Sequence, residues 1–117
     1  MKISPPQNAN TYQLQAFLAS DDAGNYLVQI VIHKPRGSKE ILAHQLKIKI
    51  LKNGREVQYF SRNPSTLIEV NKSCSSSSIA TFQINDPDPK SIEDVKVSYA
   101  GNNYKFKLVE YEANLSK

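Results

Sequence analysis

The chain is poor in cysteine and tryptophan and has no long apolar segment. Cys74 is the only cysteine and tryptophan is absent, so no intramolecular disulfide can form. No run approaches the roughly 18 apolar residues that a membrane-spanning helix needs. With 117 residues, of which 22% are charged, the chain is expected to bury a core without disulfide or metal support.

The N-terminus offers no apolar segment of the kind that a secretory signal needs. Lys2 supplies one basic residue, and Ser4-Pro5-Pro6 follows almost at once, so no signal peptide is visible. Such a start fits a cytoplasmic protein and equally fits a chain in which Met1 has replaced a leader. An extracytoplasmic location is the favoured expectation.

Motifs of enzymes and of metal or nucleotide sites are also missing. The sequence has no G-x-S-x-G, no G-x-G-x-x-G and no phosphate-binding loop. His33 and His44 are separated, and Cys74 has no neighbouring histidine, so neither zinc nor a thiol nucleophile is expected. Asp86 and Asp88 alternate as in a calcium loop but lack its glycine and terminal glutamate. We therefore expect a non-enzymatic protein without metal or cofactor.

Apolar residues recur at a spacing of two, which is typical of strands. Residues 11–19 and 25–33 are predicted to form two strands joined by the loop 22–24, in which Gly24 supplies a positive φ. This loop sets Leu18 opposite Val28. Residues 34–38 contain proline and glycine and are predicted to form a loop.

The strongest local signal is Asn53-Gly54, the pair preferred in a two-residue type I′ turn. It predicts a hairpin that pairs Ile50 with Val57 and Ile48 with Tyr59. The strand before the turn, residues 41–51, alternates throughout. Its inward positions are expected to be Leu42, His44, Leu46, Ile48 and Ile50.

Further strands are predicted at residues 66–70, 78–84 and 95–99 and from Tyr104 onward, with a polar flexible loop at 71–77.

Two shorter features complete this half of the chain. Ser91, followed by Asp94, is predicted to cap one helical turn. The last hairpin is expected to turn at Gly101-Asn102 or at Asn102-Asn103; the second is favoured because the first sets Lys96 opposite Lys107.

These elements predict an all-β protein of about seven or eight strands in an antiparallel two-sheet sandwich, with a small barrel as the alternative. Residues 1–10 are expected to be an irregular lead-in, residues 11–112 one domain, and residues 113–117 a frayed tail.

Residues 41–111 resemble immunoglobulin-like modules at the level of the fold. A lysine-rich strand enters the Asn53-Gly54 hairpin, and a later strand leads through a short crossing, residues 86–94, into a final hairpin. The tryptophan and the cysteine pair of true immunoglobulin domains are absent. The resemblance implies a sandwich scaffold and carries no function with it.

The candidate binding surface is the outward face predicted for the hairpin that turns at Asn53-Gly54. Lys47, Lys49 and Gln58 would share this face with Phe60 and Glu56. A basic face around one aromatic side chain suits a protein partner. Nucleic acid is not expected, because the net charge is only +4 and basic residues are interleaved with acids. Alternatives are carbohydrate binding through outward aromatics and a small secreted enzyme inhibitor; the oligomeric state stays open.

Overall fold

The computed structural model describes residues 1–9 and 11–111, and within these it contains twelve strands. The residues predicted as a frayed tail lie outside this part. The strands are β1 (Lys2–Ile3), β2 (Gln7–Ala9), β3 (Tyr12–Ser20), β4 (Tyr26–Pro35), β5 (Lys47–Lys52), β6 (Arg55–Glu56), β7 (Gln58–Ser61), β8 (Ile68–Asn71), β9 (Ser75–Asn85), β10 (Asp94–Tyr99), β11 (Asn102–Lys107) and β12 (Val109–Glu110).

The strands form two antiparallel sheets that enclose one core. The large sheet has the order β12-β1-β3-β4-β9-β7, with β2 paired to β3 and β8 paired to β9, and the small sheet has the order β11-β10-β5-β6. Side chains from both sheets meet in a single buried cluster, for example Ile30 from β4 and Val95 from β10. The two-sheet β-sandwich is therefore confirmed, and an immunoglobulin-like strand arrangement stays a prediction.

The inward positions of the sandwich follow the alternation of the sequence. Leu14, Ala16 and Leu18 on β3 are buried, and the residues between them are only partly covered. Across the core, the rings of Tyr12 and Tyr99 meet edge to face at 5.6 Å. Such aromatic contacts bury apolar surface between the sheets in addition to the surface buried by the alternating inward side chains.

The first hairpin forms as predicted. β3 and β4 pair with Leu18 opposite Val28 and Ala16 opposite Ile30. Gly24 has a φ of 86°, which a residue with a Cβ adopts at a cost.

The turn at Asn53-Gly54 is also confirmed. Both residues have positive φ, 52° and 78°, as a type I′ turn requires. The backbone N–H of Val57 donates to the carbonyl of Ile50 at 2.8 Å, so the predicted pairing of these two residues exists.

Gly54→Val should lower the free energy of unfolding by about 1 kcal/mol or more, because a β-branched residue resists positive φ. A Cβ at Gly54 would have no heavy atom within 4 Å, so the cost arises from the backbone alone. Urea unfolding measures it, with Gly54→Asn as the matched control because asparagine tolerates this region. Equal losses for valine and asparagine would contradict the backbone origin of the effect.

Beyond Val57 the predicted hairpin is wrong, because the chain leaves the small sheet. β7 joins the large sheet, where Tyr59 pairs with Ile84 rather than with Ile48. The hydroxyl of Tyr59 still reaches back across the sandwich and donates to the carbonyl of Ile48 at 2.8 Å. Tyr59 also packs against Phe82 on β9, its neighbouring strand in the large sheet, with the ring centroids 5.4 Å apart, and this contact stabilises the crossing.

The last hairpin has neither of the predicted turns. Its two-residue loop is Ala100-Gly101, with φ of 53° and 78°. This register pairs Val95 with Phe106 and sets Lys96 opposite Lys105. The two exposed lysines repel each other only weakly in water, and glycine at the second turn position, which adopts positive φ without strain, favours this register.

Residues 1–10 are not irregular throughout, because β1 and β2 both pair with β3. Ser4, between these two strands, fixes the segment: its hydroxyl accepts a hydrogen bond from the backbone N–H of Ala16 at 3.0 Å. Asn10 lies outside the described residues.

The segment before β5 is not a continuous strand. Ala43–Gln45 forms a single 3-10 turn, and the side-chain oxygen of Gln45 accepts from the backbone N–H of Leu42 at 2.7 Å. Leu42 and His44 are consequently exposed rather than inward. The chain turns here because it must pass from the large sheet to the small one.

Three polar segments also differ from expectation. β4 continues through Lys34 and Pro35, and β9 begins at Ser75, inside the expected flexible loop, because these residues pair with each other. The helical turn between β9 and β10 is Pro89–Ser91, so it ends at Ser91 instead of beginning after it. The hydroxyl of Ser91 donates to Asp88 at 2.5 Å and closes this turn.

Candidate functional site

The structure divides the predicted binding residues between two surfaces. Lys47 and Lys49 lie on β5, on the outer face of the small sheet. Gln58 and Phe60 lie on β7, at the edge of the large sheet. The expectation that all four share one face is wrong, because the chain changes sheets between Glu56 and Gln58.

Strand pairing brings other lysines to Lys47 and Lys49. Lys96 on β10 is the direct neighbour of Lys49 on one side and of Lys105 on the other. Lys107 follows on the outer side of β11. We call this surface the lysine face, and it consists of Lys47, Lys49, Lys96, Lys105 and Lys107.

The lysine face carries a concentrated positive charge. Its five side chains are exposed, and within the described chain none of them makes an ion pair. Asp94, opposite Lys107, is the acidic residue on the outward positions of β10. Neighbouring strands are about 4.8 Å apart and alternate residues about 6.8 Å apart, so the ammonium groups can act together on one anionic ligand.

A shallow groove of about 540 Å³ crosses the lysine face. Lys47, Lys49, Lys96 and Lys105 line it together with the polar side chain of Asn103. The hydroxyl of Ser98 donates to the side-chain oxygen of Asn103 at 2.6 Å on the same surface. The groove offers ammonium and amide donors to a ligand rich in acceptor oxygens.

The outer face of the large sheet has the opposite character. Its outward positions on β3, β4, β9, β7 and β8 include no aspartate, glutamate, lysine or arginine, and we call it the uncharged face. Its members are Gln13, Gln15, Phe17, Ala19, Leu27, Gln29, Val31, His33, Pro35, Gln58, Phe60, Ile68, Val70, Ser75, Ser77, Ile79, Thr81, Gln83 and Asn85. One charged side chain reaches this face from its edge: the guanidinium of Arg62 donates to the side-chain oxygen of Gln83.

One pair of side chains on the uncharged face has the residue types of a nucleophile and its base. The hydroxyl of Ser77 lies 2.7 Å from Nδ1 of His33. A base that activates serine is held in place by a third group, and in the described residues His33 has no hydrogen bond to a carboxylate. Nor do three histidine, cysteine or acidic side chains of the described chain come together as a metal site.

Sequence reasoning found Lys47 and Lys49 but missed Lys96 and Lys105. The alternation of Val95, Val97 and Tyr99 already placed Lys96 outward. The sequence did not indicate that β10 pairs with β5, because no turn connects these strands and their register comes only from tertiary packing. The aromatic side chain of Phe60 is exposed as predicted, and Tyr111 is exposed as well.

Comparison with known proteins assigns no relative: no protein-family model, no curated protein and no solved structure matches the chain. The helical turns of the described residues are too short to cross a membrane. The surfaces of the sandwich are therefore the basis on which a function can be argued.

Proposed function

We propose that this protein is a non-enzymatic binding module that docks an acidic region of a protein partner on its lysine face. The observation that carries the proposal is the alignment of Lys49, Lys96 and Lys105 across three paired strands. Surface lysines also serve to discourage edge pairing, but Lys96 is on β10, which is paired on both sides. Protection of a sheet edge therefore does not explain a row of lysines that continues into the interior of the sheet.

A rigid sheet suits this role. The lysines project from strands whose inward residues, such as Ile50, Val95 and Phe106, are almost fully buried. The scaffold therefore holds the backbone positions of the lysines at fixed spacing, and a partner with carboxylates at a similar spacing needs no rearrangement of the backbone. Charge complementarity of this kind accelerates association and selects against basic partners.

The test reverses the charge of two lysines on the face. Lys47→Glu with Lys49→Glu should weaken binding to poly-L-glutamate by about tenfold or more, because attraction becomes repulsion at two points. Biolayer interferometry at low and moderate salt measures the effect, and the wild-type affinity should fall as salt rises. The melting temperature should be nearly unchanged, since exposed substitutions typically cost within ~0.5 kcal/mol.

The matched control is Lys72→Glu with Lys90→Glu, which changes the net charge equally at exposed positions away from the lysine face. If both double variants lose affinity equally, net charge alone is responsible and the face is not a site. A preference of the wild type for single-stranded DNA over poly-L-glutamate would favour nucleic acid instead of an acidic protein.

Carbohydrate binding is the second candidate, and Phe60 is the residue that favours it. Phe60 is 54% exposed beside Gln83 on the uncharged face. An aromatic ring next to amide groups can stack on a sugar and bond its hydroxyls. Quenching of tyrosine fluorescence by a soluble oligosaccharide, lost in Phe60→Ala, would support this function.

A further inference from the structure

β11 is an edge strand of the small sheet, and one side of its backbone is unpaired. β10 pairs with the other side. Tyr99 and Asn102 flank the two-residue turn of this hairpin, so they exchange both of their backbone hydrogen bonds. Every second residue from Asn102 onward therefore bonds to β10. The residues between them, Asn103, Lys105 and Lys107, direct their N–H and C=O groups away from the sheet.

A hydrogen bond from the large sheet shows that this side of β11 is accessible to a donor. The side-chain N–H of Gln7, on β2, donates to the carbonyl of Lys105 at 2.6 Å. Within the described residues, the backbone N–H groups of Asn103, Lys105 and Lys107 have no hydrogen-bond partner. The edge thus presents a row of three free donors, which is what an additional strand requires.

The charge of this edge determines which strand can pair with it. Lys105 and Lys107 are exposed on the outer side of β11. Side chains directly opposite each other on paired strands are about 5 Å apart, so opposite charges stabilise the pair and like charges destabilise it. A second copy of β11 would bring two more lysines to the same edge. A strand with carboxylates at the opposite positions would be attracted.

The positive potential of the edge is strongest beside Lys105. Its direct neighbour on β10 is Lys96, whereas the neighbour of Lys107 is Asp94, whose carboxylate offsets part of the charge. A carboxylate opposite Lys105 therefore feels two ammonium groups that no acidic neighbour compensates.

We propose that the acidic region of the partner binds in an extended conformation and adds to β11 as an antiparallel fifth strand of the small sheet. Its acidic residues would alternate, so that they lie opposite Lys105 and Lys107. This inference rests on the proposed function of the lysine face and adds the way in which the partner is held. Backbone hydrogen bonds would supply affinity, and the alternate carboxylates would supply selectivity. Antiparallel pairing is the arrangement of the other strands of this sheet.

The first test uses a fluorescein-labelled peptide in which glutamate alternates with threonine, and fluorescence anisotropy measures its binding. N-methylation of the glutamates should weaken binding by about tenfold or more, because it removes several hydrogen bonds to β11. N-methylation of the threonines is the matched control. In antiparallel pairing their N–H groups point away from β11, so this peptide should bind as the unmodified one does.

The second test locates the binding edge by comparing two variants at residue 103. Asn103→Pro removes the N–H on the free side of β11 and no hydrogen bond to β10, and edge strands tolerate proline at such positions. Asn103→Ala removes the same side chain but keeps the N–H. We expect the proline variant to bind the peptide about fivefold or more weakly than the alanine variant, and circular dichroism melting verifies that both fold.

Three results would overturn the inference. If the two N-methylated peptides bind equally, the lysine face holds carboxylates through side chains alone, and the proposed function stands without strand addition. If the peptides differ but Asn103→Pro and Asn103→Ala bind alike, the added strand occupies another edge. A dimer of the free protein that Asn103→Pro dissociates would assign this edge to a second copy.

Failure of the proposed function has a different signature. In that case the wild type binds neither the alternating peptide nor poly-L-glutamate, and no variant at residue 103 changes this.

Discussion

Glu69→Leu should lower the free energy of unfolding by about 2–3 kcal/mol, because it leaves the buried ammonium of Lys34 without its counter-ion. The side chain of Lys34 is only 1% exposed, and its Nζ lies 2.9 Å from Glu69. Glu69 also accepts a hydrogen bond from the fully buried hydroxyl of Ser78. The 30% exposure of the glutamate keeps the expected loss below that of a wholly buried pair.

Urea unfolding of a double-mutant cycle isolates this interaction. Lys34→Met with Glu69→Leu replaces both charges by apolar groups, and it should recover most of the loss because no unpaired charge stays buried. A double variant as unstable as Glu69→Leu alone would show that packing at residue 69 is the cause, and not the charge of Lys34.

The same pair predicts a dependence on pH. Partial burial raises the pKa of Glu69. Hydrogen bonds from Lys34 and Ser78 and the charge of Lys34 together lower it by more than burial raises it, so the pKa of Glu69 lies below its ordinary value. A carboxyl with a lowered pKa contributes stability that is complete above its unfolded pKa, about 4.3, and is lost as the pH falls through the folded value. The difference between wild type and Glu69→Leu should therefore shrink in acid.

Phe106→Ala should lower the free energy of unfolding by about 3–5 kcal/mol, since it removes a buried ring and leaves a cavity. Phe106 is 1% exposed and stacks on Tyr104 with the ring centroids 6.3 Å apart. It projects from β11, at the edge of the small sheet, into the core shared by both sheets. Its loss therefore weakens the contact between the sheets as well as the strand.

Lys107→Ala is the control for this substitution. Lys107 is the next residue along β11, but it points outward and is exposed, so its loss should cost within ~0.5 kcal/mol. The contrast between adjacent residues, measured by urea unfolding, tests the inward and outward alternation of β11 directly. Similar losses for both variants would contradict it.

The alternation of inward and outward residues and the residue preferences of turns are local properties of the chain, and most of the strands were predicted from them. The outward position of Lys96 follows from the apolar residues on either side of it, whichever strand it meets. The turn at Asn53-Gly54 follows from the positive φ that two consecutive residues must adopt there. Both features need only a few neighbouring residues, which is why the sequence indicates them.

The sheet to which a strand belongs is a different kind of property. Tyr59 points inward whether β7 stays beside β5 or crosses to β9, because both arrangements bury the same alternate residues. The pattern therefore cannot distinguish them, and Phe60 was assigned to the face of Lys49 although it belongs to the other sheet. Packing of Tyr59 against Phe82 resolves the choice, and it is visible only in three dimensions.

By itself, the sequence of this protein determined an all-β chain, most of its inward residues and the turns at Gly24 and Gly54, since each depends on short-range geometry. Tertiary structure alone decided three further features. It aligned Lys49, Lys96 and Lys105 into one row, separated that row from the uncharged face, and buried Lys34 against Glu69. These features join residues from distant parts of the chain, and their free energy comes from contacts that no local pattern contains.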